Sequence, residues 1–242
     1  MTRADVFLVE QGHAKSRAEA QAAIAAGLVC INGVVLDKPS RDVPAGASIE
    51  YEKPHPFVSR GGVKLAAALD RFALSPQGLP CVDLGASTGG FTQVLLQRGA
   101  RKIFAVDVGH GQLHADIAAD PKVVSLERTN ARDLTSADFS EPVQALVCDV
   151  SFISLKLALA PVLDLMAPGG WAVALVKPQF EVGHDGVGKG GIVRDAGAQD
   201  AALRDIAFWL NSQKDWRVLG TMESPIPGGD GNREFLIAAT KS

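Results

Sequence analysis

The 242-residue sequence is poor in cysteine, with three, and in aromatic side chains, which make up 6% of it and include a single tyrosine. Cys30, Cys81 and Cys148 are odd in number, and each sits in an apolar, strand-like run. A disulfide framework is therefore excluded, and the three read as reduced core thiols of a cytoplasmic protein. A nucleophilic role for Cys148 lacks a histidine placed to activate it. No apolar run approaches the ~20 residues that a bilayer-spanning helix needs. The start, MTRADVFLVEQGHAKSR, lacks the basic-then-apolar order of a secretory signal. An excess of positive charge is also missing. Against 24 Lys and Arg stand 27 Asp and Glu, a formal net charge of −3. Bulk attraction to nucleic acid is excluded, so any such contact has to come from a local patch. What remains, 47% hydrophobic and 21% charged, is ordinary globular composition at a length for one or two domains. No residue is assigned to a metal.

Two segments follow different patterns. In residues 1–53, Val6, Leu8 and Val9 mark a short helix ending near Gly12. Ser16 and Glu19 have the spacing of a capping box. Ala20, Ala23 and Ile24 continue at helical spacing until Gly27. The run LVCINGVVL then predicts two short strands around Asn32-Gly33, a strong hairpin signal, and ASIEYE predicts another strand. This is a small α+β domain. The stretch KPHPFV carries two prolines and predicts a stiff linker over 54–59.

From Arg60 onward, over 60–242, apolar runs alternate with amphipathic helical stretches. The strand candidates are PCVDLG, KIFAVDV, KVVSLE, QALVCDV, WAVALVKP, WRVLGTM and EFLIAAT. Alternation of this kind predicts an α/β fold, a Rossmann-like doubly wound sheet with helices on both faces. No long helix separates the last two strands, so they are expected to pair antiparallel at one end.

The segment CVDLGASTGGFTQVLLQRG joins the first of these strands to a helix. In doubly wound sheets ligands bind beyond the carboxyl ends of the strands. Glycine there lets a ligand approach the backbone. The spacing Gly85-x-x-x-Gly89-Gly90 departs from the dinucleotide fingerprint, and a carboxylate at Asp83 would repel a pyrophosphate. It suits a cationic, amino-acid-like group instead. Asp107 ends the next strand, where ribose hydroxyls are held, and Asp133 follows the third, within reach of a base. An adenosine with a positively charged amino-acid tail is S-adenosylmethionine. The expected cofactor-binding set is Asp83, Gly85, Ser87, Gly89, Gly90, Phe91, Asp107, Asp133 and Asp149. A near match to a phosphate-binding loop, GHDGVGKG, has Gly190 where Ser or Thr would hold magnesium and no helix directly after it. It reads as a substrate-facing loop.

Four ionisable residues stand where a plain fold would not place them. Asp149 and Lys177 end adjacent strands, Glu234 opens the last strand, and Lys64 lies at the start of the helix before the first. They are either a salt-bridge cluster capping the sheet or a proton-handling site beside a methyl donor. An ordinary lysine, with a pKa near ~10.4, is protonated at neutral pH. Burial and a second cation would favour its neutral form, while carboxylates would oppose that change but hold its geometry. The segment DVSFIS after the fourth strand fits neither the cysteine of carbon-methylating enzymes nor the Asn/Asp-Pro-Pro-aromatic string of nitrogen-methylating ones.

These residues resemble FtsJ/RrmJ-type 2′-O-ribose methyltransferases, whose hallmark is a Lys-Asp-Lys-Glu tetrad. Lys64, Asp149, Lys177 and Glu234 match it in order and placement. The first segment resembles the RNA-binding domain named after ribosomal protein S4, through Ser16-Arg17, Gly27, Asn32-Gly33 and Lys38-Pro39. With SRGGxKL, DLGASTGGFT, CDVSFISL, VKPQFE, GKGGIVRD and GNREFL, the whole chain resembles the TlyA family, often labelled hemolysins. The chain has Arg3-Ala4-Asp5 where Arg-Leu-Asp is commoner, and HPFV lacks a basic residue before the aromatic. The resemblance implies a ribosomal RNA cytidine 2′-O-methyltransferase with Lys64, Asp149, Lys177 and Glu234 as catalytic residues. Its partners would be ribosomal RNA and ribosomal subunits, with no membrane and a monomer favoured. Residues 1–60 hold seven Lys/Arg and seven Asp/Glu, so RNA contact must depend on placement. Arg3, Lys15, Arg17, Lys38, Arg41 and Arg60 are the candidates. A non-catalytic RNA-binding module on a methyltransferase scaffold is the main alternative. A membrane-lysing protein is the other.

Overall fold

The structure, a computed structural model, describes residues 2–44, 46–52, 54–183 and 186–242. Lys53, at the end of the expected first domain, and His184 and Asp185 of the near phosphate-loop string lie outside the described residues. The chain divides into two compact units, Met1–Pro56 and Phe57–Ser242.

In the smaller unit the order is β1 (Thr2–Arg3), α1 (Ala4–Glu10), α2 (Arg17–Ala25), β2 (Val29–Ile31), β3 (Val34–Val35), β4 (Asp42–Val43) and β5 (Ile49–Tyr51). Ser16 caps α2 by accepting from the Glu19 amide at 3.2 Å. Glu19 reaches back one residue further than a capping box requires, accepting from the Lys15 amide at 2.8 Å. Asn32 and Gly33 both take positive φ, 51° and 76°, as the tight turn between β2 and β3 demands. β5 pairs with the other edge of β2. The two-residue strands β1 and β4, which pair antiparallel, are too short for alternation to reveal. Ala4, Leu8, Ala20, Ala23, Ile24, Val29, Leu36 and Val43 form the core.

The larger unit holds α3 (Gly61–Phe72), β6 (Pro80–Leu84), α4 (Gly90–Gln97), β7 (Lys102–Val106), α5 (Ala115–Ala118) and β8 (Val123–Leu126). It continues with β9 (Ala145–Cys148), α6 (Leu155–Leu165), β10 (Trp171–Val176), α7 (Ala196–Ser212), β11 (Trp216–Glu223) and β12 (Phe235–Lys241). The seven strands are ordered β11-β12-β10-β9-β6-β7-β8. The four pairings from β8 to β10 are parallel, whereas β12 is antiparallel to both of its neighbours, β10 and β11. Every residue of β9 and β10 is buried, which explains their continuous apolar sequence. Val82 and Leu84 face one core with α6 and α7. Cys81 faces the other, with Leu65, Ala68 and Leu69 of α3 and Val94 and Leu95 of α4.

Phe57, Val58 and Ser59, expected as linker, pack within the larger unit. The Val58 amide donates to Gln93 of α4 at 2.7 Å. Phe57 lies so close over Gly62 that a Cβ there would sit 2.3 Å from its ring. Ser59 packs in the same way against Gly90. The start of α3 is thus fitted to the start of α4.

Gly85 ties β6 to the end of β9. Its φ is +80°, and a Cβ would lie 2.5 Å from the Asp149 carbonyl oxygen. Gly85→Ala should cost at least roughly 2 kcal/mol from backbone strain and overlap together, read as a thermal midpoint several degrees lower. An unchanged midpoint would mean that the two strand ends can move apart freely.

Candidate active site

Strand order reverses at β6, whose neighbours are β7 on one side and β9 on the other. A doubly wound sheet opens its ligand crevice at such a point. There a cavity of about 800 Å³ is lined by residues that include Gly85, Ser87, Asp107, Asn130, Asp149 and Phe152. Asp107 accepts from the Ser87 amide through Oδ2 and from the Gly109 amide through Oδ1, both at 2.7 Å. Two backbone donors therefore fix its carboxylate on the wall while other lone pairs stay open.

The expected cofactor set divides here. Gly85, Ser87, Asp107 and Asp149 line the cavity. Asp83, Gly89, Gly90, Phe91 and Asp133 are not on its wall. Gly89 caps α4, while Gly90 and Phe91 open that helix and are buried. Asp133 ends a 3₁₀ turn started by Asn130, which caps the Arg132 amide at 3.1 Å. That turn leaves Asp133 exposed and places Thr129, Asn130 and Arg132 on the wall instead.

Asp83 is fully buried. Thr92 donates to its Oδ2 at 2.6 Å, and Oδ1 has no hydrogen-bond partner among the described residues. Burial pushes its carboxyl up to about 7 against the opposing Thr92 bond, and Asp149 and Asp107 push the same way. A buried carboxylate with one unsatisfied oxygen calls for a cation.

A second cavity of about 290 Å³ is lined by Lys177, Asp230 and Glu234 among others, and shares Ser151 and Phe152 with the first. Lys177 Nζ lies 2.6 Å from Asp149 Oδ1, an ion pair whose alignment is off the hydrogen-bond direction. The same ammonium donates to Ser151 Oγ at 2.9 Å. Lys64 Nζ donates to Glu234 Oε2 at 2.5 Å, with side chains 8% and 4% exposed. The four ionisable residues thus form two ion pairs. Asp149 faces the first cavity, Lys177 and Glu234 the second, and Lys64 sits behind Glu234. Arg60, at the start of α3, brings its guanidinium within 3.2 Å of a Cβ position on Gly229, which is also on the second wall. Val187 and Gly191, from the loop that mimics a phosphate-binding string, line it too. The next helix, α7, begins only at Ala196.

Sequence reasoning missed Ser151, Thr92, Asp230 and Phe152. Phe152 is 91% exposed and takes φ +65°, strained for an aromatic residue. It lies 5.3 Å, centroid to centroid, from Phe180. Cys148 is fully buried and burial raises its thiol's pKa, so it is inert as a nucleophile. Cys81 is likewise pushed up to about 12 by burial.

A mostly parallel sheet with a glycine loop after β6 and an anchored acid after β7 defines a Rossmann-like methyltransferase. Residues 57–241 match the FtsJ-like methyltransferase family and residues 2–49 the S4 domain. The 16S/23S rRNA (cytidine-2′-O)-methyltransferase TlyA of Mycobacterium tuberculosis (strain ATCC 25618 / H37Rv) is 43% identical over 97% of this chain and 88% of its own length. Hemolysin A of Brachyspira hyodysenteriae is 38% identical over 97% and 98%. A solved Streptococcus thermophilus structure, described as a hemolysin, superposes with TM-score 0.78 at 41% identity, covering 100% of this chain and 88% of the other. The chain belongs to the TlyA family, S4-domain proteins with an FtsJ-like methyltransferase domain. Its cofactor is S-adenosylmethionine. Among the described residues no helix is long and apolar enough to cross a membrane.

Asp83 generates a pH prediction for the cofactor-free protein. An unfolded Asp releases its proton near ~3.9, whereas folded Asp83 holds it to about 7. Between those values the folded state binds the extra proton, so this group makes stability fall as pH rises from about 4 to about 7. Asp83→Asn lacks that contribution. Its urea midpoint should therefore improve relative to the unsubstituted protein between about pH 5 and about pH 8. Parallel pH profiles for the two proteins would contradict a protonated, buried Asp83.

Proposed function

We propose that this protein is an S-adenosylmethionine-dependent 2′-O-methyltransferase acting on the ribose of cytidine in ribosomal RNA. The observation that carries the reading is the Lys177–Asp149 ion pair, which bridges two adjoining cavities, one for cofactor and one for substrate. The larger cavity fits the cofactor. Asp107 would accept from ribose hydroxyls, Asn130 with Val106, Leu157 and Ala158 would enclose the base, and Asp83 would answer the positive amino-acid end from behind the wall. S-adenosylmethionine supplies an electrophilic methyl group on sulfur.

The remaining chemistry belongs to side chains of this chain. A ribose hydroxyl is a weak acid and needs both a proton acceptor and a fixed line of approach. Lys177 is the acceptor. It acts as the neutral amine, whose two N–H bonds point to Asp149 and Ser151 and whose lone pair is left toward the substrate cavity. As the oxygen–methyl bond forms and the sulfur–methyl bond breaks, the ribose proton passes to that lone pair and yields the ammonium that pairs with Asp149. Glu234, on the same wall, orients the ribose, and Lys64 holds Glu234. Arg60 lies beside Gly229 to meet backbone phosphate. Phe152, exposed where the two cavities meet, offers a face on which an unstacked base can rest. In the smaller unit Arg3, Lys15, Arg17, Lys38 and Arg41 dock the RNA. Such work belongs with ribosomes in the cytoplasm, which is the location that this reading carries. Two ion pairs and an anchored Asp107 support a catalyst over a non-catalytic scaffold.

Lys177→Ala should lower methyl transfer to ribosomal RNA by at least roughly 10²-fold while the melting temperature and cofactor affinity stay near those of the unsubstituted protein. Lys177→Arg should fail as well, because a guanidinium cannot take up a proton. Near-normal turnover in either variant, followed with tritium-labelled cofactor, would make the ion pair structural only.

A further inference from the structure

We propose that Asp5 is a positioning residue that locks the guanidinium groups of Arg3 and Arg17 into one outward-facing fork for RNA backbone phosphates. The inference rests on the reading that the smaller unit docks ribosomal RNA. Asp5 lies in the first turn of α1, and its side chain is 0% exposed. Arg3, from β1, donates through Nε to Oδ1 at 3.1 Å and through Nη2 to Oδ2 at 3.3 Å. Arg17, at the start of α2, donates through Nε and Nη2 to Oδ2 at 3.3 and 2.9 Å. Gln21, one turn further along α2, adds a bond to Oδ2 at 2.8 Å. One buried carboxylate thus gathers two arginines that are 14 positions apart in sequence.

The same atoms show what is left for a ligand. A guanidinium has five N–H donors. In each arginine the edge bearing Nε and one side of Nη2 is spent on Asp5. The Nη1 edge remains, and the side chains are 51% and 57% exposed. Without Asp5 the two like charges would repel one another and their long side chains would sample many rotamers. Ordering them beforehand lowers the entropy lost when a phosphate is clasped. The Arg3 bond holds the Asp5 carboxyl well below the usual carboxylate range, so the clamp stays charged at any physiological pH. The segment carrying Lys38 and Arg41 runs beside it, for the Ala4 amide donates to the Arg41 carbonyl at 2.8 Å and the Asp5 amide to the Pro39 carbonyl at 3.1 Å.

The test turns on a sign. Asp5→Asn removes a negative charge from a cationic surface, and simple charge counting predicts tighter RNA binding with a steeper salt dependence. Positioning predicts the reverse. Filter binding of the full-length variant to ribosomal RNA extracted from bacterial ribosomes should show affinity roughly tenfold lower and a shallower dependence on salt. Cofactor affinity should be unchanged and kcat at saturating RNA near normal. If Asp5→Asn unfolds the smaller unit, the double variant Arg3→Lys, Arg17→Lys takes its place. It keeps every charge and loses the fork, and the same loss is expected. Unchanged or tighter binding by a folded Asp5→Asn, or unchanged binding by the Lys double, overturns the proposal. Arg3→Ala with Arg17→Ala separates the two levels. Unaltered RNA affinity in that variant would overturn the docking role of the unit itself. Weakened affinity there, with Asp5→Asn unaffected, would overturn only the clamp.

Discussion

The Lys177–Asp149 ion pair depends on two neighbouring parallel strands ending nearly level. β9 and β10 pair with Ala174 opposite Cys148. Asp149 is therefore the first residue past its strand, and Lys177 leaves β10 one residue after Val176. An antiparallel pairing would have sent the two side chains to opposite ends of the sheet. The parallel order in turn requires the crossover helix α6, and the level ends require the tight fit of Gly85 under the Asp149 carbonyl. The geometry of this ion pair is a property of strand register before it is a property of side chains.

Charges in the interior point the same way. A buried ion pair is poor at stabilising a fold, because losing water costs about as much as the pair returns. Lys64 and Glu234 nonetheless sit together at 8% and 4% exposure, and Asp83 keeps an oxygen without a partner. Apolar side chains of similar size would suit the fold at least as well. On the proposed function, the retained charges mark the place where a ribose hydroxyl and a cationic donor are to be handled. The smaller unit repeats the pattern in Asp5, buried but holding two arginines at the surface.

Much of this was legible from residue order. The α/β alternation gave the sheet, and the continuous apolar runs at 145–148 and 171–176 marked the strands buried on both faces. Acids and lysines at strand ends marked the ligand edge, because alternation fixes where a strand stops. What escaped were features that depend on turns. A 3₁₀ turn at 131–133 swings Asp133 into solvent and puts Asn130 on the wall. Asp83 points into the core beside α4, since its neighbours Val82 and Leu84 face α6. Neither direction can be read from spacing. β1 and β4 are too short for period-two patterning. The Asp5 cluster joins β1, α1 and α2 through contacts that no local pattern records. Phe57 to Ser59 looked like linker because Pro54 and Pro56 precede them, yet Gly62 and Gly90 leave room that draws them onto α3 and α4.

The central claim is that the pair at the end of β9 and β10 directs a methyl group to a ribose oxygen. The most direct measurement is the position of the label after ribosomal RNA from bacterial ribosomes is incubated with the protein and methyl-labelled S-adenosylmethionine, digested to nucleosides and analysed by mass spectrometry. The account predicts label in 2′-O-methylcytidine, within a ribose and absent from every base. Label on a base carbon or nitrogen, or none in the RNA under conditions where the cofactor binds, would contradict it.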